Sequence, residues 1–164
     1  MKKILVSILA VLTLFAVWAC NEDSVGQETL EENEKAAAGT YLIMQNDGFQ
    51  QLLTLADGRV AFSQNSDQRS LPAPFGDQQG AWKVTGDREV KVRTLDFVYD
   101  FDDGTLTGYG LSTFIGTFDM DFSEFTGTVL VEIFGTEQDP LDPDEEPGNT
   151  FGPISFDGRR VTAD

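Results

Sequence analysis

Apolar and polar residues alternate along most of the chain after residue 39, in short runs that are separated by turn residues. Within the run 125–135, Phe125 and Val129 share one parity, whereas Thr126 and Thr128 share the other. A period of two residues is typical of strands that have one buried face. The pattern therefore predicts β-structure, and no convincing helix is indicated in this region.

Turn residues divide the region into eight predicted strands. Asp57-Gly58 and Gly86-Asp87 predict tight hairpin turns, because glycine accepts the positive φ that such turns need. The predicted strands are residues 41–45, 49–56, 59–63, 80–85, 88–101, 105–118, 125–135 and 154–162. Eight short-looped strands in sequence predict an all-β domain folded as an antiparallel up-and-down barrel. A two-sheet β-sandwich is the alternative.

The predicted fifth strand changes phase along its length. Val90 and Val92 lie on one parity. The apolar residues of the second half lie on the other: Leu95, Phe97, Tyr99 and Phe101. A β-bulge near residues 93–95 would bring both sets to the core face. Asp96 and Asp100 are then expected to face solvent.

The predicted sixth strand carries three glycines of one parity, which are Gly108, Gly110 and Gly116. Glycines along one face of a strand permit sharp coiling or the close approach of another backbone. We therefore expect a bend or a close contact along this face.

The first twenty residues differ from the rest of the chain. Met1-Lys2-Lys3 precedes an apolar run from Ile4 to Ala19, which stops at Cys20, the only cysteine. This pattern predicts a secretory signal peptide, because the run is short for a transmembrane helix. The residues Val17-Trp18-Ala19-Cys20 resemble a bacterial lipoprotein processing box, which implies cleavage before Cys20 and diacylation of its thiol. An ordinary secretory signal and an uncleaved anchor are the alternatives.

Three segments follow from this reading: a signal peptide (1–19), a lipidated cysteine with an acidic tether (20–38) and a β-barrel domain (39–164). The tether is too poor in large apolar side chains to fold alone, although a short helix over about 27–37 is compatible with its composition. Asn21 follows the cysteine, and by resemblance to enteric lipoproteins this implies the outer rather than the inner membrane. We expect attachment to the cell envelope through the lipid.

Charge and composition exclude several functions. Without Lys2 and Lys3, the 11 basic residues become 9 against 28 acidic residues, a net charge of about −19. Such a surface repels nucleic acid, so no nucleic-acid partner is expected. The chain has no histidine. This removes the usual general base and metal ligand, and together with the single cysteine it argues against catalysis and against a cofactor.

Several motifs occur in an order that resembles bacterial calycin-type, lipocalin-like secreted proteins. They are Gly80-Ala81-Trp82, the turn Thr85-Gly86-Asp87-Arg88, the stretch FVYDFDDG (97–104) and Phe125-Thr126-Gly127. The resemblance covers about residues 39–160 and implies an eight-stranded lipocalin-like barrel without assigned catalytic residues. Gly39-Thr40-Tyr41 takes the place of the first-strand Gly-x-Trp of lipocalins. By analogy with lipocalins, Arg88 is expected to pack across Tyr41; the alternative is a surface charge in the hairpin.

An up-and-down chain places alternate connections at the same end. The loops 46–48, 64–79, 102–104 and 136–151 would share one end, the mouth, and the other turns would share the closed end with both termini. An interior of eight strands is either filled by side chains or holds one small ligand. Aromatic residues that could line such a pocket, or form the core, are Trp82, Tyr99, Phe101, Tyr109, Phe114 and Phe118.

Two loop segments are further candidates. The apolar stretch from Leu71 to Phe75 could be a lid over the mouth or a plug packed on its rim. The loop 137–146 holds the acidic residues Glu137, Asp139, Asp142, Asp144, Glu145 and Glu146. Carboxylates of this kind bind hard cations such as Ca²⁺, but the spacing lacks a Ca²⁺-loop pattern and prolines interrupt it, so the loop is interpreted as solvated rather than as a metal site. Asp102-Asp103-Gly104 is read as a turn.

These observations predict a non-enzymatic, lipid-anchored extracytoplasmic barrel that binds a small apolar ligand or acts structurally at the envelope. The alternatives are a protein–protein adaptor that uses the acidic mouth loops, and a carboxylate-only, isomerase-like enzyme of the calycin type. Polar residues that converge inside the barrel would favour the enzyme.

Overall fold

In a computed structural model, which describes residues 29–68 and 74–163, eight strands form a closed antiparallel barrel. Each strand pairs with the next in sequence, and the last pairs with the first. The strands are β1 (Gly39–Gln45), β2 (Gln50–Ala56), β3 (Val60–Asn65), β4 (Gln78–Val84), β5 (Glu89–Tyr99), β6 (Leu106–Phe118), β7 (Glu124–Gly135) and β8 (Asn149–Arg160). The predicted all-β class and up-and-down barrel are confirmed; the fold is not a two-sheet sandwich.

The predicted strands match these elements in number and order. The largest difference between predicted and observed bounds is at the start of β8. Its first residues, 149–151, pair with Val131 to Ile133 of β7, across a register shift between Val129 and Val131. Glycine and proline at 152–153 obscured this extension, because both residues are uncommon inside strands. The long connection before β8 is correspondingly shorter than predicted.

The closed end of the barrel is filled by aromatic side chains. The buried aromatic residues here and just above are Tyr41, Trp82, Phe114, Phe118, Phe125 and Phe156. The rings of Phe118 and Phe125 are stacked with centroids 4.7 Å apart, and those of Phe125 and Phe156 lie 5.0 Å apart. Each such pair contributes about 1 kcal/mol beyond the burial of its area.

A helix over residues 29–37 packs against this end, in agreement with the predicted short helix. Ala37 is fully buried in the core, and the Tyr41 hydroxyl donates a hydrogen bond to its carbonyl at 2.9 Å. Burial raises the pKa of Tyr41 to about 12. One turn earlier in the helix, Glu34 forms an ion pair with Arg59 at 2.8 Å.

Arg160, at the end of β8, connects the helix to the barrel. Its guanidinium donates hydrogen bonds to the carbonyls of Ala36 (3.0 Å) and Ala38. It also lies 5.7 Å from the centre of the Tyr41 ring, within the range of a cation–π interaction. These contacts satisfy carbonyls at the C-terminal end of the helix that have no partner within it.

The expected contact between Arg88 and Tyr41 is wrong. Arg88 lies in the β4–β5 turn, where its side chain is 3.7 Å from the Asp87 carboxylate. Arg160 takes the predicted place because β8 is hydrogen-bonded to β1, and Tyr41 and Arg160 are register partners. The β4–β5 turn is separated from β1 by two intervening strands.

The expected β-bulge near residues 93–95 is also wrong. The register of β5 with β6 is continuous from Glu89 to Val98, and only beyond Val98 does it shift. Buried residues therefore alternate without a break: Val90, Val92, Thr94, Asp96 and Val98. Phe97 is 52% exposed on the outer face, with its ring 6.0 Å from that of Tyr109. Asp96 points into the barrel, contrary to expectation, whereas Asp100 is exposed as expected.

Residues 1–28, which carry the predicted signal peptide and Cys20, lie outside the described residues, and so does Leu71. No helix in the described part of the chain is long and apolar enough to cross a membrane.

Replacing Arg160 with glutamine tests the attachment of the helix. Arg160→Gln should lower the free energy of unfolding by about 2 kcal/mol, because it removes charge-assisted hydrogen bonds to buried carbonyls. Urea unfolding followed by tryptophan fluorescence measures this loss. The matched control is Arg159→Gln on the exposed outer face, which should change stability by less than about 0.5 kcal/mol. Equal effects of the two substitutions would contradict the assigned role.

Candidate functional site

The inner wall changes character between the closed end and the mouth. Six polar side chains are buried in the mouth half, and we call them the polar band: Gln51, Ser63, Gln78, Thr94, Asp96 and Ser112. They come from the consecutive strands β2 to β6. The band therefore covers one continuous side of the interior, above the aromatic core.

Gln78 is the centre of the band. Its amide nitrogen Nε2 donates to Asp96 Oδ2 at 3.1 Å and lies 3.3 Å from Ser112 Oγ. Its Oε1 accepts a hydrogen bond from the Thr94 hydroxyl at 3.1 Å. Asp96 is thus held on one oxygen by a side chain from the neighbouring strand.

A second hydrogen-bonded pair adjoins this group. The Ser63 hydroxyl lies 3.4 Å from Gln51 Oε1, as a long hydrogen bond. Ser63 and Gln78 are register partners on β3 and β4, so the two groups form neighbouring parts of one surface.

Two buried polar atoms in the band, Asp96 Oδ1 and Gln51 Nε2, have no hydrogen-bond partner among residues 29–68 and 74–163. Their residues are only 5% and 4% exposed. Buried polar atoms of native proteins are nearly always hydrogen-bonded, so an exception calls for an unseen partner such as water or a ligand. One of these atoms is an acceptor and the other is a donor.

Burial raises the pKa of Asp96 to about 6, because an ionised carboxylate is poorly solvated inside the barrel. The Gln78 amide and the nearby backbone amides of Gly110 and Asp96 offset part of this rise. The two ion pairs found among the described residues, Arg59–Glu34 and Arg88–Asp87, do not involve Asp96. Asp96 is the only buried carboxyl in residues 29–68 and 74–163.

Gly110 makes room for this carboxyl group. It is the register partner of Asp96, and a Cβ atom at position 110 would lie 2.2 Å from Asp96 Oδ1. At Gly116 a Cβ atom would lie 2.5 Å from the Thr126 carbonyl oxygen. At Gly108 a Cβ atom would lie 2.0 Å from the Phe134 carbonyl oxygen. The expected close approach of another backbone is therefore confirmed at Gly108 and Gly116, whereas the neighbour of Gly110 is the Asp96 side chain.

Apolar side chains complete the interior beside the polar band. Ile43 is fully buried and is the register partner of Gln51, and Val131 is the register partner of Ser112. Below them lie Phe114 and Phe156, with ring centroids 6.0 Å apart. The mouth half of the interior is therefore amphipathic, with a polar side, an apolar side and an aromatic floor.

The aromatic residues predicted to line a pocket do not come together. Trp82, Phe114 and Phe118 are buried in the core, and the Trp82 indole donates to the Ala56 carbonyl at 2.9 Å. Tyr109 lies on the outer face beside Phe97, and Phe101 is 62% exposed in the β5–β6 turn. Tyr99 is half-buried at the mouth end of β5. Half of the predicted set is thus outside the interior.

Phe75, from the described end of the predicted lid, and the predicted cation loop lie at the mouth. Phe75 forms an isolated bridge with Val98, which extends the β4 side of the sheet along the end of β5. In the acidic loop, Asp139 accepts a hydrogen bond from the Leu141 amide and Asp142 from the Asp144 amide, both at 2.9 Å. The Glu145 side chain accepts a hydrogen bond from the Gln138 side-chain amide nitrogen at 3.1 Å, and the backbone carbonyl of Glu146 accepts one from the same nitrogen at 2.7 Å. No group of three acidic side chains among the described residues could hold a metal ion.

The turn predicted at Asp102-Asp103-Gly104 is confirmed. Asp100 Oδ1 accepts a hydrogen bond from the Asp102 amide at 2.8 Å, and Asp103 Oδ1 accepts one from the Thr105 amide at 2.9 Å. Gly104 has a φ of 72°, which glycine adopts without strain. These carboxylates therefore build the turn.

An open groove of about 360 Å³ lies on the outer face, over the junction of β3 and β4. Its lining includes Leu52, Thr54, Phe62 and Gln79. Ser63 and Gln78 of the polar band also border it.

In comparisons with known proteins, no family model, no curated protein and no solved structure matches the chain. The closed eight-stranded barrel fits a lipocalin-like architecture. Membership of the calycin-type group and the lipoprotein signal both stay predictions.

The raised pKa of Asp96 gives a prediction for stability against pH. The folded protein binds the Asp96 proton more tightly than the unfolded chain does. Ionisation of Asp96 therefore lowers the free energy of unfolding as pH rises from about 4 to 7. Relative to Asp96→Asn, the wild type should lose on the order of 2 to 3 kcal/mol over this range. Urea unfolding at several pH values measures the difference. Asp157→Asn, on the exposed outer face, is the control and should follow the wild type. A pH-independent difference for Asp96→Asn would contradict a buried carboxyl.

Proposed function

We propose that this protein is a lipid-anchored, extracytoplasmic barrel that binds one small molecule in the mouth half of its interior. The observation that carries the proposal is the polar band with its two unpartnered atoms, Asp96 Oδ1 and Gln51 Nε2. Small-molecule sites are mostly apolar cavities in which a few placed polar groups fix the orientation of the ligand. The amphipathic mouth half has this composition.

Energetics favour binding over a purely structural role. Each unpartnered buried polar atom costs about 1 to 3 kcal/mol, and a buried carboxylate costs more. Leucine or valine at these positions would pack the barrel without that cost, as Leu53 and Val92 do nearer the closed end. The mouth half therefore holds groups that lower stability, which is expected where side chains are arranged for a ligand.

The small size of the inner side chains near the mouth also favours ligand binding. The closed half is filled by large aromatic residues, whereas the inner positions nearer the mouth include Ser63, Thr94, Gly110 and Ser112. Smaller side chains fill less of the cross-section enclosed by the same eight strands. The ligand we propose is amphipathic rather than purely apolar, because an apolar molecule would leave Asp96 and Gln51 unpartnered.

The position of the chain ends supports the predicted attachment. The helix over residues 29–37 leads into β1 at the closed end, and β8 ends there as well. A lipid on Cys20 would reach the membrane through the short segment before this helix. The mouth would then open away from the membrane surface.

Acid–base catalysis is a second candidate, and both the polar residues that converge inside the barrel and the raised pKa of Asp96 favour it. A carboxyl group with a pKa of about 6 is suited to proton transfer near neutral pH. In the described ranges, however, no second carboxyl is buried beside it. Ligand binding needs no second acid or base, and it is the function that we prefer.

Native mass spectrometry of the protein purified from its own host tests the binding function. The wild type should carry a small molecule that Ser112→Phe lacks, because the added ring fills the mouth half of the interior. The control is Ile115→Phe, which places the same ring on the exposed outer face of the same strand and should keep the molecule. Circular dichroism verifies that both variants fold. A wild type without a bound molecule, or a Ser112→Phe variant that keeps it, would contradict the proposal.

The lipid anchor has a separate test. Mass spectrometry of the membrane-extracted protein should find an N-terminal peptide that begins at Cys20 and carries diacylglycerol. Cys20→Ser should abolish the modification and release the protein from the membrane fraction. An N-terminal peptide that begins at Cys20 without lipid would disprove the anchor and leave the barrel site unaffected.

A further inference from the structure

We infer that the ligand is an organic amine, with its positively charged nitrogen beside Asp96 Oδ1 and an apolar body against Ile43 and Val131. This inference rests on the proposed function and names the chemical class of the molecule. It follows from the charge, the hydrogen bonding and the apolar lining of the interior.

The charge of Asp96 is uncompensated among the described residues. Its Oδ2 accepts from the neutral Gln78 amide, and its neighbours Thr94 and Ser112 are neutral as well. No lysine or arginine in the described ranges pairs with it, and the chain has no histidine. A buried carboxylate is stable when a cation pairs with it. A water molecule could donate a hydrogen bond to Oδ1, but it would not supply the positive charge that compensates the carboxylate.

The loops around the mouth favour a cation over an anion. Residues 100–105 include three aspartates, and residues 136–148 include six acidic residues and no basic residue. A mouth lined with one sign of charge concentrates ligands of the opposite sign. An anionic ligand would be repelled both at the mouth and at Asp96.

The remaining groups indicate an organic cation. A hard metal ion takes six to eight oxygen ligands, often including several carboxylates, whereas the band offers one carboxyl. Ile43, Val131 and the Phe114 ring provide apolar contacts for a hydrocarbon body. Gln51 lies on β2 of the same band, separated by two intervening strands from Asp96 on β5, and its Nε2 adds a donor for an oxygen on the same ligand.

Three molecules with the same aromatic body test the inference: phenethylamine, 2-phenylethanol and phenylacetate. Each is titrated into the full mature chain at pH 7.5 and about 150 mM salt, which screens weak attraction to the acidic surface. Chemical shifts of the Asp96, Ser112 and Gln51 backbone amides give the dissociation constants. Phenethylamine should bind at least about tenfold more tightly than 2-phenylethanol, because its ammonium group forms a charge-assisted hydrogen bond with Asp96. Phenylacetate should bind most weakly.

Two variants assign the preference to Asp96. Asp96→Asn should reduce phenethylamine binding to the level of 2-phenylethanol and leave 2-phenylethanol unchanged. Asp157→Asn removes the same charge from the outer face and should leave all three affinities unchanged. An equal loss in both variants would show general attraction to an acidic protein and would overturn the inference.

The outcomes separate this inference from the proposed function. If 2-phenylethanol binds at the interior amides and phenethylamine binds no tighter, the amine is wrong and the binding function stands. If no probe shifts the interior amides and native mass spectrometry finds no bound molecule, both are wrong.

Discussion

Pairing of β8 with β1 closes the sheet, and the rest of the molecule depends on that junction. Tyr41 and Arg160 are register partners across it, and Arg160 also holds the helix that covers the closed end. Closure fixes the register of every strand, since a slip by one residue would exchange the inner and outer faces. Thr94 and Asp96 therefore remain inside even though apolar residues lie next to them in sequence.

The two halves of the interior contribute unequally to stability. In the closed half, stacked and tilted aromatic rings pack at 4.7 to 6.2 Å, and the polar atoms of Tyr41 and Trp82 are hydrogen-bonded. In the mouth half, the buried Asp96 carboxyl group has no cation beside it, and two polar atoms have no hydrogen-bond partner, within the part of the chain that the structure describes. The packed half stabilises the fold, which allows the other half to retain groups that a ligand can satisfy.

Most of the fold could be predicted from the sequence, whereas most of the site could not. Turn chemistry at Asp57-Gly58 and Asp102-Asp103-Gly104 and the alternation in β7 were sufficient to place eight strands in order. The interior of β5 was misassigned because Leu95 and Phe97 are apolar, and apolar residues were expected to face the core. In this barrel the outer face also carries apolar side chains, such as Phe97 packed near Tyr109. Hydrophobicity alone therefore did not distinguish the two faces.

An unbroken period of two from Val90 would have placed Asp96 inside, and this was the available signal. The continuity of the β5–β6 register decides between the two readings, and it depends on pairing partners that lie far away in sequence.

The burial of an uncompensated carboxyl group is tested most directly by the pKa of the Asp96 side chain, measured by carboxyl ¹³C NMR on ligand-free protein. We predict a pKa of about 6, with loss of that resonance in Asp96→Asn. A value near 4, typical of a solvent-exposed aspartate, would contradict a buried and uncompensated carboxyl at the centre of the site.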